Sequence, residues 1–182
     1  MKNLTRTICL TLAVLLGTMG TSWGANDLVF RSVEDKFRFL YPDTWIVKKG
    51  TGANVKAKVV SDDGSSCNVV VGPLPKEIED IPNDQIMSVY SETDILEGLR
   101  EKWGDTVLLK GGETYIDNRL AVYGYFDMTH KVFGASVKVR QLSAVTTKYG
   151  KMYFLTCTAE VELFSKHRAV FENVVKFFTF EY

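Results

Sequence analysis

Two histidines and two cysteines, His130, His167, Cys67 and Cys157, are the residues best suited to acid–base or thiol chemistry. His130 stands in DMTHK, at a loop or strand end, and His167 in SKHRA, read as the first turn of a closing helix. An imidazole titrates near neutrality and can act as a general base or a metal ligand. Neither histidine, however, belongs to a recognisable catalytic pattern. The chain carries no Gly-x-Ser-x-Gly elbow, no phosphate-binding loop and no dinucleotide fingerprint. The expectation is therefore two exposed histidines, no catalytic residue and no enzyme.

The period of two along a strand puts Cys67 on one face with Val69 and Val71. It puts Cys157 with Tyr153, Leu155, Ala159 and Val161. Both cysteines thus point into an apolar layer. They read either as two buried thiols, which behave as small hydrophobes, or as a Cys67–Cys157 disulfide; a separation in sequence does not decide between them. Acidic residues gather at Asp62 and Asp63, and again at Glu77, Glu79, Asp80 and Asp84. Hard cations need several converging oxygens, and this spacing matches no calcium loop. Solvated loop charge is expected, with Asp62-Asp63-Gly64 making a turn, and neither a metal nor a cofactor is assigned. Tyr90, Trp103, Tyr123, Tyr125, Phe126, Phe177 and Phe178 fall at strand and helix spacings, which favours core over a ligand groove. No binding residue is named.

The elements that must position these residues are mostly strands. Phe37, Phe39 and Tyr41 alternate with Arg38 and Leu40 until Pro42, which cannot donate a ladder hydrogen bond, stops the strand. Trp45 then folds its ring back onto the core. Val55, Ala57 and Val59 alternate with Lys56 and Lys58, and CNVVV (67–71) follows as a more apolar strand. Three prolines make residues 72–84 an exposed loop, a candidate docking surface. One helix is predicted over 84–103, from Ile86, Val89, Tyr90, Leu96, Leu99 and Trp103, with Asn83 or Asp84 as its cap. TVLLK and ETYI are separate short segments around a Gly pair. Asp117-Asn118 turns a hairpin into RLAVYGYFDM, and Lys148-Tyr149-Gly150-Lys151 turns a second one. Ser165 is the expected cap of a last helix through Phe178, with Val170, Phe171, Val174 and Phe177 on its stripe. Hairpins in succession with two separate helices imply an α+β class, a single domain with a central antiparallel sheet flanked by helices.

Residues 1–24 read as a secretory signal peptide. Lys2 and Arg6 precede a short apolar run, and Ser22 and Gly24 suit a cut before Ala25. The domain is then 25–182, with an uncleaved anchor as the alternative and membrane contact through that segment only. Beyond the cut, 20 basic residues face 22 acidic ones, a net charge of −2 that gives no footprint for nucleic acid. With 46% hydrophobic residues the chain can build a core unaided.

FRFLYPDTW, CNVVVGPLP, LAVYGYFDM, YGKMYFLTCTA and FENVVKFFTF, in this order, resemble the PsbP family and its bacterial PsbP-like relatives. The resemblance spans the whole domain. It implies an α/β/α sandwich shared with a nuclear Ran-binding protein. It also implies a non-catalytic accessory protein that docks onto a protein partner, here in the bacterial periplasm or cell envelope. The alternatives are a periplasmic small-ligand or metal-binding protein with a cleft between helix and sheet, a hydrolase built on a serine or aspartate beside a histidine, and, in a photosynthetic source, an extrinsic accessory subunit of photosystem II.

Overall fold

The computed structural model describes residues 27–78, 81, 85–132 and 134–182. The signal segment, the Gly24–Ala25 cut, Glu79, Asp80, Asn83 and Asp84 lie outside the described residues. The strands are β1 (Asp27–Ser32), β2 (Phe37–Pro42), β3 (Ile46–Val47), β4 (Val55–Val60), β5 (Ser66–Pro73), β6 (Thr106–Ile116), β7 (Arg119–Val132), β8 (Ala135–Lys148), β9 (Lys151–Glu160) and β10 (Thr179–Phe180). The helices are α1 (Ile86–Val89), α2 (Glu92–Trp103) and α3 (Val161–Lys176). One sheet runs β3-β4-β5-β9-β8-β7-β6 and a smaller one β1-β2-β10. Every paired strand is antiparallel, so the fold is α+β.

Side-chain parity divides the core. Odd-numbered residues of the central strands (Ala121; Tyr153, Leu155, Cys157 and Ala159) join Leu142 and Ala144 of β8 in one cluster, packed with β2 and with Phe164, Phe171 and Val174 of α3. The opposite parity, Val122, Phe126 and Met128 of β7 with Val139 and Val145 of β8, packs against Ile86 and Met87 of α1 and Ile95 and Leu96 of α2. α3 thus packs with one cluster, and α1 and α2 with the other. The expected corner is present: Phe37, Phe39, Tyr41 and Trp45 are all buried, and the Trp45 N–H donates to the Pro42 carbonyl at 2.9 Å. The hairpin turns carry consecutive left-handed residues, Asp117 and Asn118 in one and Tyr149 and Gly150 in the other. That is the backbone twist a two-residue hairpin needs.

Several expectations are corrected. The single helix over 84–103 is two, because Tyr90 is extended (φ −102°, ψ 134°). Ser91 restarts the helix: its N–H and hydroxyl both donate to the Asp94 carboxylate, at 2.6 and 2.7 Å. Val89 is accordingly exposed rather than on an apolar stripe. TVLLK and ETYI form one strand, β6, with a bulge between Leu108 and Lys110. Its Gly111 lets α2 approach, since a Cβ there would sit 2.8 Å from the Glu92 Cβ. The closing helix begins at Val161, so Ser165 lies inside it and His167 in its second turn. Its apolar stripe already includes Phe164, one residue ahead of the expected cap. The helix ends at Lys176, and Thr179 and Phe180 pair with Arg38 and Phe37 of β2. The proline segment is not a plain exposed loop: β5 runs to Pro73, and Leu74, Ile78 and Ile81 pack on the second cluster. β1 and β3, with short or weak alternation, were not foreseen.

Candidate functional site

The strand register builds a polar band on the face that α1 and α2 only partly cover. Lys58 pairs with Asn68, and Asn68 with Thr156. In the next row Ser66 pairs with Thr158, and Thr158 with Gln141. All six line a cleft of about 570 Å³. The helices pack on β6, β7 and part of β8, where the face is apolar; toward Gln141 of β8, over β4 and β5, and at Thr156 and Thr158 of β9 it stays polar and open. The floor is pre-ordered. The Thr158 hydroxyl donates to Gln141 Oε1 at 3.1 Å, and Gln141 Nε2 donates to Ser143 Oγ at 2.7 Å, with Gln141 and Ser143 buried.

One wall is aromatic. Trp103, 37% exposed, stacks on His130 with ring centroids 4.0 Å apart, and Lys102 Nζ lies 5.0 Å from the Trp103 ring. Burial first, and then the nearby Lys102 charge, push His130 below its ordinary pKa. Its Nε2 is buried with no hydrogen-bond partner among the described residues. His130 is thus half-buried within β7, not an exposed loop histidine. Trp103, expected in the core, lines the cleft instead.

The opposite rim is held by Asp63. Its Oδ1 accepts from the Ser61 hydroxyl at 2.6 Å and the Ser65 N–H at 3.1 Å; its Oδ2 meets Lys166 Nζ at 2.9 Å and His167 Nε2 at 2.7 Å. These donors, the Ser61 hydroxyl foremost, hold the Asp63 carboxyl well below the usual carboxylate range. The expected solvated turn acid is therefore a tie between the β4–β5 turn and α3. His167 is correspondingly buried, against Trp45 and Phe171. Three-residue spacing from Phe164 and four from Phe171 puts it on the buried face. A depressed folded pKa contributes stability that is fully present above the unfolded value, about 4, and is lost as the pH falls through and below it. Asp63→Asn is expected to cost about 1–3 kcal/mol at neutral pH and to flatten the acid limb of stability. Urea midpoints of both proteins from neutral to acid pH check this, and parallel limbs would refute it.

Under the floor, Cys67 and Cys157 face each other across β5 and β9 and form a disulfide with sulfurs 2.06 Å apart. Both lie on the buried face, so the bond fastens the two strands that carry Ser66, Asn68, Thr156 and Thr158.

A second feature is the free edge of β6. Val107, Leu109 and Tyr115 are 57%, 47% and 69% exposed, and among the described residues no strand pairs with its outer side. Beside it a groove of about 370 Å³ runs under α3, lined by Lys110, Tyr115, Tyr123, Tyr125, Arg168 and Glu172. Tyr123 and Tyr125 share a face there, and the Tyr125 hydroxyl donates to Glu172 at 2.7 Å. Burial, then that carboxylate, push the Tyr125 phenol up to about 12.

Ser61 donates to Asp63, and the other Asp63 oxygen meets His167, so the serine and the histidine are joined only through the carboxylate. Among the described residues no three His, Cys, Asp or Glu side chains converge on a metal position. No helix among them is long and apolar enough to cross a membrane.

These features define a class: an α+β protein with a large antiparallel sheet, an open polar cleft on one face and one long unpaired strand edge. The family model for PsbP matches residues 28–180, and the chain belongs to the PsbP family. No curated protein matches it in sequence. The solution structure of cyanobacterial PsbP (CyanoP) from Synechocystis superposes with a TM-score of 0.61 at 19% identity, covering 91% of this chain and 98% of that one. LpqN, involved in cell envelope biogenesis of Mycobacterium tuberculosis, gives 0.54 at 11%, over 86% and 91%. The Saccharomyces cerevisiae Ran-binding protein Mog1p gives 0.54 at 10%, over 85% and 95%. At these identities the likeness is one of fold.

Proposed function

We propose that this is an exported, non-catalytic accessory protein of the periplasm or cell envelope, an α/β/α sandwich that acts by docking onto a protein partner. The observation that carries the reading is the free edge of β6, eleven residues long with apolar side chains exposed along it. An unpaired edge offers a row of backbone donors and acceptors, and an added strand draws affinity from them and specificity from adjoining pockets. The groove under α3 is such a pocket. The bulge at Leu109 and the charge of Lys110 discourage indiscriminate pairing, which suits one selected partner. The signal-like N-terminus supports export, and the use of this fold by a Ran-binding protein supports docking as its mode of work. Photocrosslinking from position 107 in envelope extract is expected to capture the same protein repeatedly, and Leu109→Lys, which sets a second charge on an exposed position of the edge, to abolish capture. Recovery of no reproducible partner would count decisively against the reading.

A further inference from the structure

We propose that the polar cleft is a saccharide-binding site, its floor of Asn68, Gln141, Thr156 and Thr158 hydrogen-bonding a neutral sugar that borders the exposed part of Trp103, one face of which is already stacked on His130. The floor groups are hydroxyls and carboxamides, and each both donates and accepts. A sugar hydroxyl does the same, so a polyol can satisfy them in pairs. The Thr158–Gln141–Ser143 chain holds the amide in one orientation before any ligand arrives, which lowers the ordering cost of binding. At the rim, Ser65 lines the cleft, and its buried hydroxyl has no hydrogen-bond partner among the described residues. A buried polar group left unpaired is costly, and a ligand hydroxyl at this position would pair it.

Other ligand classes fit less well. Lys58 and Lys102 are the cleft's lysines, and Asp63 and Glu160 line it as well, so a polyanion such as a nucleotide lacks the positive field it needs. A peptide strand binds a sheet edge, yet β5 and β9 are interior strands paired on both sides. An apolar ligand would strip water from the polar floor without replacing its hydrogen bonds. The volume, about 570 Å³, lies in the range of small-molecule sites, enough for a short saccharide.

The test is a titration of nitrogen-labelled protein with tetra-N-acetylchitotetraose and with maltotetraose at millimolar concentration, followed by amide and indole shifts. At least one is expected to move the Asn68, Thr156 and Thr158 amides and the Trp103 indole. Thr156→Val, which keeps shape and strand preference, should weaken that binding about tenfold, roughly the loss of one hydrogen bond, with melting unchanged. Trp103→Ala, on a ring that is partly exposed, should weaken it at least as much. Overturning results are no shift in the cleft with either saccharide, shifts confined to other surfaces, or tighter binding of a neutral peptide of matching length. Crosslinking at position 107 reads the docking edge separately. A cleft that ignores sugars while the edge captures its partner refutes this site alone, and the converse refutes the docking reading alone.

Discussion

Phe178→Ala is expected to destabilise the protein by about 3–5 kcal/mol, the cost of a large cavity at a fully buried aromatic. Phe178 has no exposed surface. Its ring stacks on Phe37 at 5.2 Å and meets Tyr153 and Phe180 edge-on at 6.3 and 5.3 Å. These rings join β2, β9 and β10, so the loss is felt by both sheets. For a domain of this size the melting temperature should fall on the order of 10 °C. The informative comparison is Phe177→Ala. A helix continued through Phe178 would bury Phe177 on the stripe of Val170 and Val174. The chain instead leaves the helix at Phe177 (φ −107°, ψ 14°), leaves that ring half-exposed and buries its neighbour. Phe177→Ala should therefore cost much less. Urea unfolding of the two variants decides, and equal losses would contradict the observed end of α3.

The second large effect is expected on reducing the Cys67–Cys157 bond. The cysteines are 90 residues apart, and cross-linking so long a loop removes chain entropy from the unfolded state, about 4–5 kcal/mol in the loop-closure treatment and 2–4 kcal/mol in typical measurements. A loss of about 3 kcal/mol is expected on comparing oxidised protein with protein reduced in denaturant and refolded. The far-ultraviolet spectrum should be unchanged, because reduced thiols pack as small hydrophobes in the same layer. Since each cysteine is 1% exposed, reductant should act on the folded protein only as fast as the β5–β9 region opens. Coincident unfolding curves for the two redox states would refute the expected stabilisation.

Much of the architecture was legible locally. FRFLYP announces its strand by alternation and its end by Pro42. Asp117-Asn118 and Tyr149-Gly150 announce their hairpins because few residues tolerate left-handed backbone there. The break before α2 was also written locally, as Ser91 three residues ahead of Asp94, but the apolar spacing from Ile86 to Trp103 ran across it and masked it. Asp35 shows the opposite limit. Nothing nearby foretells that it is 3% exposed with Lys151 Nζ at 3.2 Å and Lys56 Nζ at 3.9 Å, or that the Tyr153 hydroxyl donates to its carbonyl. Its partners come from β4 and β9, outside its own hairpin and, for β9, far from it in the chain.

The candidate sites divide in the same way. Periodicity placed Cys67 and Cys157 on apolar faces, and ordered motifs pointed to the PsbP family, because strand parity and turn chemistry depend on neighbours one to four residues away. The cleft could not be read so. Asn68, Gln141, Thr156 and Thr158 each occupy an ordinary polar position of an alternating strand, the pattern of a face turned to water. Only the β5-β9-β8 register lines them up across the sheet, and only the short reach of α2 leaves them uncovered. Asp63 and His167 likewise became partners because the β4–β5 turn meets the second turn of α3. Sequence determined which side of each strand faces the core; long-range pairing decided which polar faces converge, because hydrogen bonds and contacts between distant segments carry no local periodic signal.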